Sequence, residues 1–137
     1  MADPHSVTSA VIDFALRTFW AQPRPMPAEL EYDTRDPYAV AVVLHAGASD
    51  VRWLVGRDLL ADGLLAPHGE GDVRIAPAAD PAMIVMELSS PDGAAVLEAP
   101  AQEIADFLDL TYDVIPPGSE PDWFDFEVEL AKLSYQD

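Results

Sequence analysis

The stretch Met83-Ile-Val-Met-Glu-Leu-Ser-Ser-Pro-Asp-Gly-Ala-Ala-Val-Leu-Glu-Ala-Pro-Ala-Gln-Glu-Ile-Ala-Asp-Phe-Leu108 contains the change of period that decides the fold class. Residues 83–88 predict a strand, Pro91-Asp-Gly93 is typical of a tight turn, and residues 94–97 predict the strand that pairs back across it. Pro100 suits the first position of a helix, and apolar residues then recur at helical spacing as Ile104, Phe107 and Leu108. The chain therefore changes from strands to helices within this stretch.

The part of the chain before this stretch predicts mainly strands. Between residues 7 and 20 an apolar set alternates with a set that contains Asp13 and Arg17, which is the period of a half-buried strand. Residues 22–27 hold three prolines and predict a connector. Strands are also predicted at 30–32, 38–45, 51–55 and 72–75, with a four-residue hairpin loop at 47–50. Residues 57–65 predict a short helix, which Gly63 helps to end.

The part of the chain after the stretch predicts a second C-terminal helix. Pro116-Pro-Gly118 breaks the chain and Ser119 can cap the new helix, whose apolar face would consist of Trp123, Phe126, Leu130 and Leu133. With strands first and helices last, we expect an α+β fold of about seven antiparallel strands, a short middle helix and two C-terminal helices. Its 137 residues, half of them hydrophobic, predict a single domain with residues 1–6 and 136–137 frayed.

The charge balance restricts the class of partner. The chain has 25 acids and 7 bases, and the bases are scattered along it. Nucleic acid and anionic lipid are bound mainly through clustered Lys and Arg, so a net charge of −18 disfavours both. Most of the acids are expected only to solvate the surface, and the remainder to favour partners with basic patches.

No pattern of reactive side chains predicts an active site, a cofactor or a metal. The chain has no cysteine and no nucleophile elbow, and its histidines lack metal-ligand spacing. The acid pairs Asp33/Asp36 and Glu70/Asp72 fit exposed turns better than general acid-base catalysis. Residues 1–10 do not resemble a secretory signal and no apolar run could span a bilayer, so we expect a cytoplasmic protein without direct membrane insertion.

The aromatic residues near the start of the chain are the candidates for contact between subunits. Phe14, Phe19 and Trp20 lie close together in sequence and could form part of a subunit interface. The alternative is that they fill the core of their own domain.

Five uncommon phrases, separated by ordinary sequence, carry a family resemblance. They are Tyr32-Asp-Thr-Arg-Asp-Pro-Tyr-Ala-Val40, Arg57-Asp-Leu-Leu-Ala-Asp-Gly-Leu64, Gly71-Asp-Val-Arg-Ile75, Leu88-Ser-Ser-Pro-Asp-Gly-Ala-Ala-Val-Leu-Glu-Ala-Pro100 and Val114-Ile-Pro-Pro-Gly118. In this order they resemble the SsgA-like proteins of sporulating actinomycetes, with the SsgB type the nearest match.

The resemblance implies a regulator of sporulation-specific cell division rather than an enzyme. Proteins of this type are understood to localise to future septum sites, to recruit the tubulin-like GTPase FtsZ and to promote its assembly, and a second family member helps to place them. The implied fold is a β-rich domain similar to the Whirly fold, assembled as a trimer, with no accepted active site or cofactor. A nucleic-acid binder, inherited with such a fold, is the alternative that the net charge disfavours. An unrecognised small-molecule enzyme is a third, which a deep pocket with convergent polar groups would favour.

Overall fold

A computed structural model describes residues 4–18, 22–69 and 71–124 of the chain. Its seven strands are β1 (Val7–Leu16), β2 (Arg24–Asp33), β3 (Ala39–Ala46), β4 (Ser49–Gly56), β5 (Val73–Pro77), β6 (Met83–Ser90) and β7 (Gly93–Pro100). The helices are α1 (Arg57–Gly63) and α2 (Ala101–Val114), and a 3₁₀ turn follows at Glu120–Asp122. The predicted α+β class and the predicted number of strands are confirmed.

All seven strands join one antiparallel sheet in the order β4-β3-β2-β1-β7-β6-β5. The β6–β7 hairpin turns at Pro91 and Asp92, as predicted, because Ser90 pairs with Gly93. The β3–β4 hairpin is tighter than predicted, since Ala46 pairs with Ser49 and leaves a two-residue turn. Gly47 in this turn has a φ of 67°, a left-handed conformation that glycine adopts without strain.

The sheet is curled, and the helices pack against it. Helix α1 continues directly from β4 at one edge of the sheet and packs against β5 at the other edge. Gly63 makes this packing possible, because a Cβ atom there would lie 2.4 Å from Cγ2 of Ile75. Helix α2 packs on β1, β6 and β7 through the predicted face of Ile104, Phe107 and Leu108, all of which are buried.

One core of apolar side chains lies between the curled sheet and the helices, and strands supply most of it. Alternate residues of each strand point into it, for example Ile12 and Phe14 of β1 and Val40, Val42 and Leu44 of β3. Burying a large aliphatic or aromatic side chain contributes about 1.5–3 kcal/mol each. This core therefore fixes the register of the strands, since a shift by one residue would expose every inward side chain.

Several predicted bounds were wrong, and β2 shows the clearest reason. Residues 22–27 were predicted to be a connector, yet β2 begins at Arg24 and includes Pro25 and Pro27. The missing N–H groups of these prolines face the β3 side of the strand, where pairing with β3 covers only residues 28–31. Proline is tolerated in a strand where no ladder hydrogen bond is lost.

The ends of β1 and α2 also differ from the prediction. β1 ends at Leu16 rather than continuing to residue 20, since its partner β2 begins opposite at Arg24. Pro100 precedes the first helical position instead of occupying it, because it still pairs with Met83 in the sheet. Where a second C-terminal helix was predicted, the structure describes a 3₁₀ turn at Glu120–Asp122 for which Ser119 forms no side-chain cap, and Phe126, Leu130 and Leu133 lie outside the described residues.

Candidate functional site

The most unusual feature of the interior is a buried arginine, Arg57, the first residue of α1. Its side chain is 1% exposed and extends to the C-terminal end of α2. There Nη1 donates to the carbonyl oxygens of Ile115, at 2.7 Å, and Thr111, at 3.4 Å. The last carbonyls of a helix lack intrahelical partners and form the negative end of its dipole, so a guanidinium fits this position.

The charge of Arg57 is neutralised by Glu120, which follows the Pro-Pro-Gly segment. Nη2 of Arg57 donates to Oε2 of Glu120 at 2.9 Å, and Oε1 of the same carboxylate accepts the N–H of Gly118 at 2.7 Å. The guanidinium carbon lies 4.9 Å from the ring centre of Tyr32 and 5.0 Å from that of Tyr112. These are cation–π distances, so both rings also stabilise the charge. We name these residues, with Thr111 and Ile115, the Arg57 cluster.

The cluster shifts the pKa of three of its members. The hydrogen bond from Arg57 is the main cause that lowers the pKa of Glu120, and backbone hydrogen bonds act in the same direction while burial opposes them. Burial raises the pKa of Tyr32 to about 12, although the charge of Arg57 partly offsets this. Burial also raises the pKa of Tyr112, with Asp58, Asp109 and Asp62 adding to the effect. At neutral pH the cluster therefore contains a carboxylate, a guanidinium and two neutral phenols.

Three of the five sequence phrases converge on this cluster. Tyr32 begins the first phrase, and its hydroxyl donates to the carbonyl oxygen of Pro37 in the same phrase at 2.9 Å. Arg57 begins the second phrase, and Ile115 and Gly118 belong to the last. The phrases therefore encode a joint between β2, α1, α2 and the segment after α2. Arg57, Glu120, Tyr32 and Thr111 are buried and Tyr112 is partly buried, so the cluster holds these elements together.

An apolar cleft of about 320 Å³ lies between the tips of the two hairpins. Leu44, Val51 and Trp53 line one side of it, and Leu88 and Leu97 line the other. Among the described residues that line it, the polar side-chain groups are those of Ser90 and Asp92, both in the β6–β7 hairpin, and the indole N–H of Trp53. Enzyme sites combine an apolar pocket with several convergent polar groups. The cleft therefore has the character of a packing or docking surface.

The exposed sides of the helices are acidic. Asp58 and Asp62 of α1 lie close enough to Tyr112 to affect its pKa, as does Asp109 of α2, so the acids of the two helices form one surface. Exposed acids continue along α2 as Glu103, Asp106 and Asp113. Four of the six arginines in the described part of the chain are paired with acids, namely Arg17, Arg35, Arg52 and Arg57.

Of the three residues predicted for a subunit interface, the structure describes only Phe14. Phe14 is 1% exposed and packs in the core of its own domain. Phe19 and Trp20 lie outside the described residues. The participation of these aromatic residues in an interface stays a prediction.

The histidines occupy separate places. His45 pairs with Asp50 across the β3–β4 hairpin at 2.8 Å, and Nδ1 of His68 lies 2.8 Å from the carbonyl oxygen of Ala66. His5 forms a hydrogen bond with Thr34 at 2.9 Å, within the stretch expected to fray. In the described ranges no group of three or more His, Cys, Asp or Glu side chains could hold a metal ion.

The ion pair of Arg57 with Glu120 was missed by sequence reasoning. The two residues are 63 positions apart, and each is a common surface residue type. Two signals were available in the sequence. Arg57 begins a phrase whose next residues are mostly apolar, and Glu120 follows a rigid Pro-Pro-Gly segment.

Comparison with known proteins agrees with this architecture. The sequence profile described as Streptomyces sporulation and cell division protein, SsgA, matches residues 26–120. The chain is 57% identical over 111 residues to the sporulation-specific cell division protein SsgB of Saccharopolyspora erythraea, covering 80% of this chain and 79% of that protein. It is 47% identical over 112 residues to SsgB of Streptomyces coelicolor, covering 80% and 82%.

Two solved structures share the fold. The structure reported as "Mutations in SsgB correlate to longitudinal cell division during sporulation of Streptomyces coelicolor" matches with a TM-score of 0.85 and 41% identity, over 90% of this chain and all of that chain. The SsgA-like sporulation-specific cell division protein of Thermobifida fusca matches with a TM-score of 0.84 and 34% identity, over 97% and 99%. The chain belongs to the SsgA family of sporulation and cell division proteins. No helix in the described part of the chain is long and apolar enough to cross a membrane.

Proposed function

We propose that this protein is a non-enzymatic regulator of sporulation-specific cell division, which recruits FtsZ to septum sites and promotes its assembly. The observation that carries the proposal is the 57% identity, over 80% of the chain, to a protein named sporulation-specific cell division protein SsgB. The Arg57 cluster adds a physical reason, since it turns the family's phrases into a rigid joint rather than a reactive centre.

In this proposal the protein acts in the cytoplasm at the division septum, together with other SsgA-like proteins. It acts as a homo-oligomer, which we expect to be a trimer. Repetition of one binding surface around a symmetry axis converts weak single contacts into avidity, which suits a protein that bridges a polymer. The high negative charge keeps separate copies soluble and favours partner surfaces with basic groups.

The non-enzymatic part of the proposal is supported by the character of the apolar cleft. Its lining offers one carboxyl, from Asp92, and one hydroxyl, from Ser90. A nucleophile, its base and an oxyanion-stabilising group would have to converge there for acyl or phosphoryl transfer.

The surface formed by the described residues does not favour the nucleic-acid alternative. Phosphate binding needs free cationic side chains. Arg17, Arg35 and Arg52 are each engaged by an acid, and the exposed helix faces carry further acids.

Co-sedimentation with FtsZ polymers, in the presence and absence of GTP, tests the proposal. We expect the protein to pellet only when polymer forms, and the amount of pelleted FtsZ to rise with the protein. Protein that stays in the supernatant across a range of salt concentrations would refute direct recruitment. A labelled DNA duplex and single strand, titrated at low salt, form the parallel arm: tight, salt-dependent binding would support the nucleic-acid function instead.

A further inference from the structure

Strand β1 has an open edge inside the sheet order. It pairs with β2 along its whole length, from Val7 to Leu16. On its other side it pairs with β7 only through Ala15 and Leu16. The ladder stops there because the next β7 residue that could exchange hydrogen bonds is Pro100, which has no N–H and leads into α2. Among the described residues, 7–13 therefore have a strand on one side only.

The hydrogen bonds at the two ends of β1 show which backbone groups face this open side. Arg17 donates its N–H to Val96 of β7, and the carbonyl of Ser6 accepts from Thr34 at the end of β2. Because the direction alternates along a strand, odd-numbered residues face the β7 side and even-numbered residues face β2. The N–H and C=O groups of Val7, Ser9, Val11 and Asp13 thus lie on the open edge, and none has a backbone partner among the described residues.

Apart from Asp13 at its end, the side chains of this edge lack the features that protect exposed strands. Residues 7–12 contain no charge, no proline and no glycine, in a chain with a net charge of −18. Val7 is 56% exposed and Val11 is 71% exposed. Proteins usually guard free edges with charges, proline or short strands. The two outer edges follow this rule, because β4 carries Asp50 and Arg52, and β5 has only five residues and ends at Pro77.

We propose that an extended segment of a partner protein pairs with residues 7–13 of β1 and adds a strand to the sheet. Backbone hydrogen bonds to Val7, Ser9, Val11 and Asp13 would provide affinity, as in other cases of β-strand addition. Apolar side chains of the segment would cover Val7 and Val11. The inference rests on the proposed function only in taking the partner to be a division protein.

The charges around the edge select the kind of segment. On the same outer face, Asp13 of β1 lies at one end, and Val7, Ser9 and Val11 pair with Asp33, Glu31 and Glu29 of β2. Arg52 and Arg35 already pair with Glu31 and Asp33, so a segment with basic side chains beside its apolar ones complements mainly the carboxylates of Glu29 and Asp13. A second copy of this chain carries the same acids on the same strands, so the charge favours a different, basic protein.

The test uses a short blocked peptide of alternating valine and threonine with arginine at both ends, and a matched peptide with glutamate at both ends. Amide exchange and chemical shifts of the full chain are followed by NMR during titration. Ser9→Pro removes an N–H on the open edge and leaves the β1–β2 ladder intact. Leu54→Pro makes the same change on the outer edge of β4 and is the matched control. Circular dichroism confirms that both variants are folded.

We expect the arginine peptide to protect the amides of Val7, Ser9, Val11 and Asp13 from exchange. The glutamate peptide should bind more weakly. Ser9→Pro should lower the affinity for the arginine peptide about tenfold or more, whereas Leu54→Pro should not. The inference is overturned if the arginine peptide perturbs other residues only, if Ser9→Pro binds as tightly as the wild type, or if these amides are already protected in a self-associated form. Co-sedimentation of the same variants with FtsZ separates the two proposals. If the wild type and Ser9→Pro both pellet with the polymer, the strand-addition proposal is refuted and the proposed function is not.

Discussion

Nη2 of Arg57 lies 2.9 Å from Oε2 of Glu120, and the two side chains are 1% and 8% exposed. This pair connects the start of α1 to the segment that follows α2. Two charges removed from water are stable only when each neutralises the other and the remaining polar atoms are bonded. Here the carbonyl oxygen of Ile115 and the N–H of Gly118 complete most of that bonding, while Nε of Arg57 has no hydrogen-bond partner in the described part of the chain.

Arg57→Met tests the energetic role of the pair. It leaves the carboxylate of Glu120 buried without its counter-charge, so we expect the free energy of unfolding to fall by about 3–5 kcal/mol. Urea denaturation at neutral pH measures this loss. The double variant Arg57→Met/Glu120→Leu removes both charges and is expected to recover most of the stability. A loss below about 1 kcal/mol in the single variant would show that the ion pair contributes little to the free energy of unfolding.

The pH dependence of stability tests the lowered pKa of Glu120. The unfolded chain, in which this carboxyl has the ordinary pKa of 4.5, binds a proton there more readily than the folded chain does. Its contribution is therefore present above that value and is lost as the pH falls through the folded-state pKa. We expect the stability difference between wild type and Glu120→Gln to shrink on acidification below pH 4.5. Glu103→Gln, on the exposed face of α2, is the control, and a difference that is constant with pH would be inconsistent with the ion pair.

The raised pKa of Tyr32 predicts a second effect of pH on stability, at alkaline pH. Its pKa is raised to about 12 from 10.0, mainly by burial, so the folded chain holds this proton more tightly than the unfolded chain. The contribution is complete below pH 10 and is lost as the pH rises toward 12. Across this range wild type should lose up to about 2–3 kcal/mol more than Tyr32→Phe.

At neutral pH the same Tyr32→Phe variant reports on the hydroxyl itself. It leaves the carbonyl of Pro37 without its buried donor, which is expected to cost about 1–3 kcal/mol. Thermal unfolding at neutral and alkaline pH measures both effects. Parallel alkaline curves for the two proteins would show that Tyr32 is not the titrating group.

Gly63→Ala tests the contact of α1 with the far edge of the sheet. The new methyl group would meet Cγ2 and Cβ of Ile75 at 2.4 and 2.5 Å, so either α1 or β5 must move. We expect a destabilisation of about 1–3 kcal/mol in urea unfolding. Gly56→Ala, just before the same helix, is the matched control because its Cβ would lie at an ordinary 3.6 Å from Leu59. Equal effects of the two substitutions would argue against this close packing.

Local patterns predicted the hairpin of β6 and β7 and the buried face of α2, because a tight turn and a helical period each depend on neighbouring residues. The same local reasoning failed at Pro25 and Pro27, since whether a proline breaks a strand depends on the neighbouring strand. The inward direction of Phe14 follows from the pleat of β1, whereas its grouping with Phe19 and Trp20 as interface residues stays a prediction.

By itself the sequence determined the α+β class, the number of strands and, through its five phrases, the family. Only the tertiary structure decided that Arg57 meets Glu120 and that, within the part of the chain it describes, residues 7–13 lack a strand partner on one side. The physical reason is sequence distance. Periodicity records which face of an element is apolar, whereas the partner of a buried charge or a free strand edge is chosen when distant segments pack together.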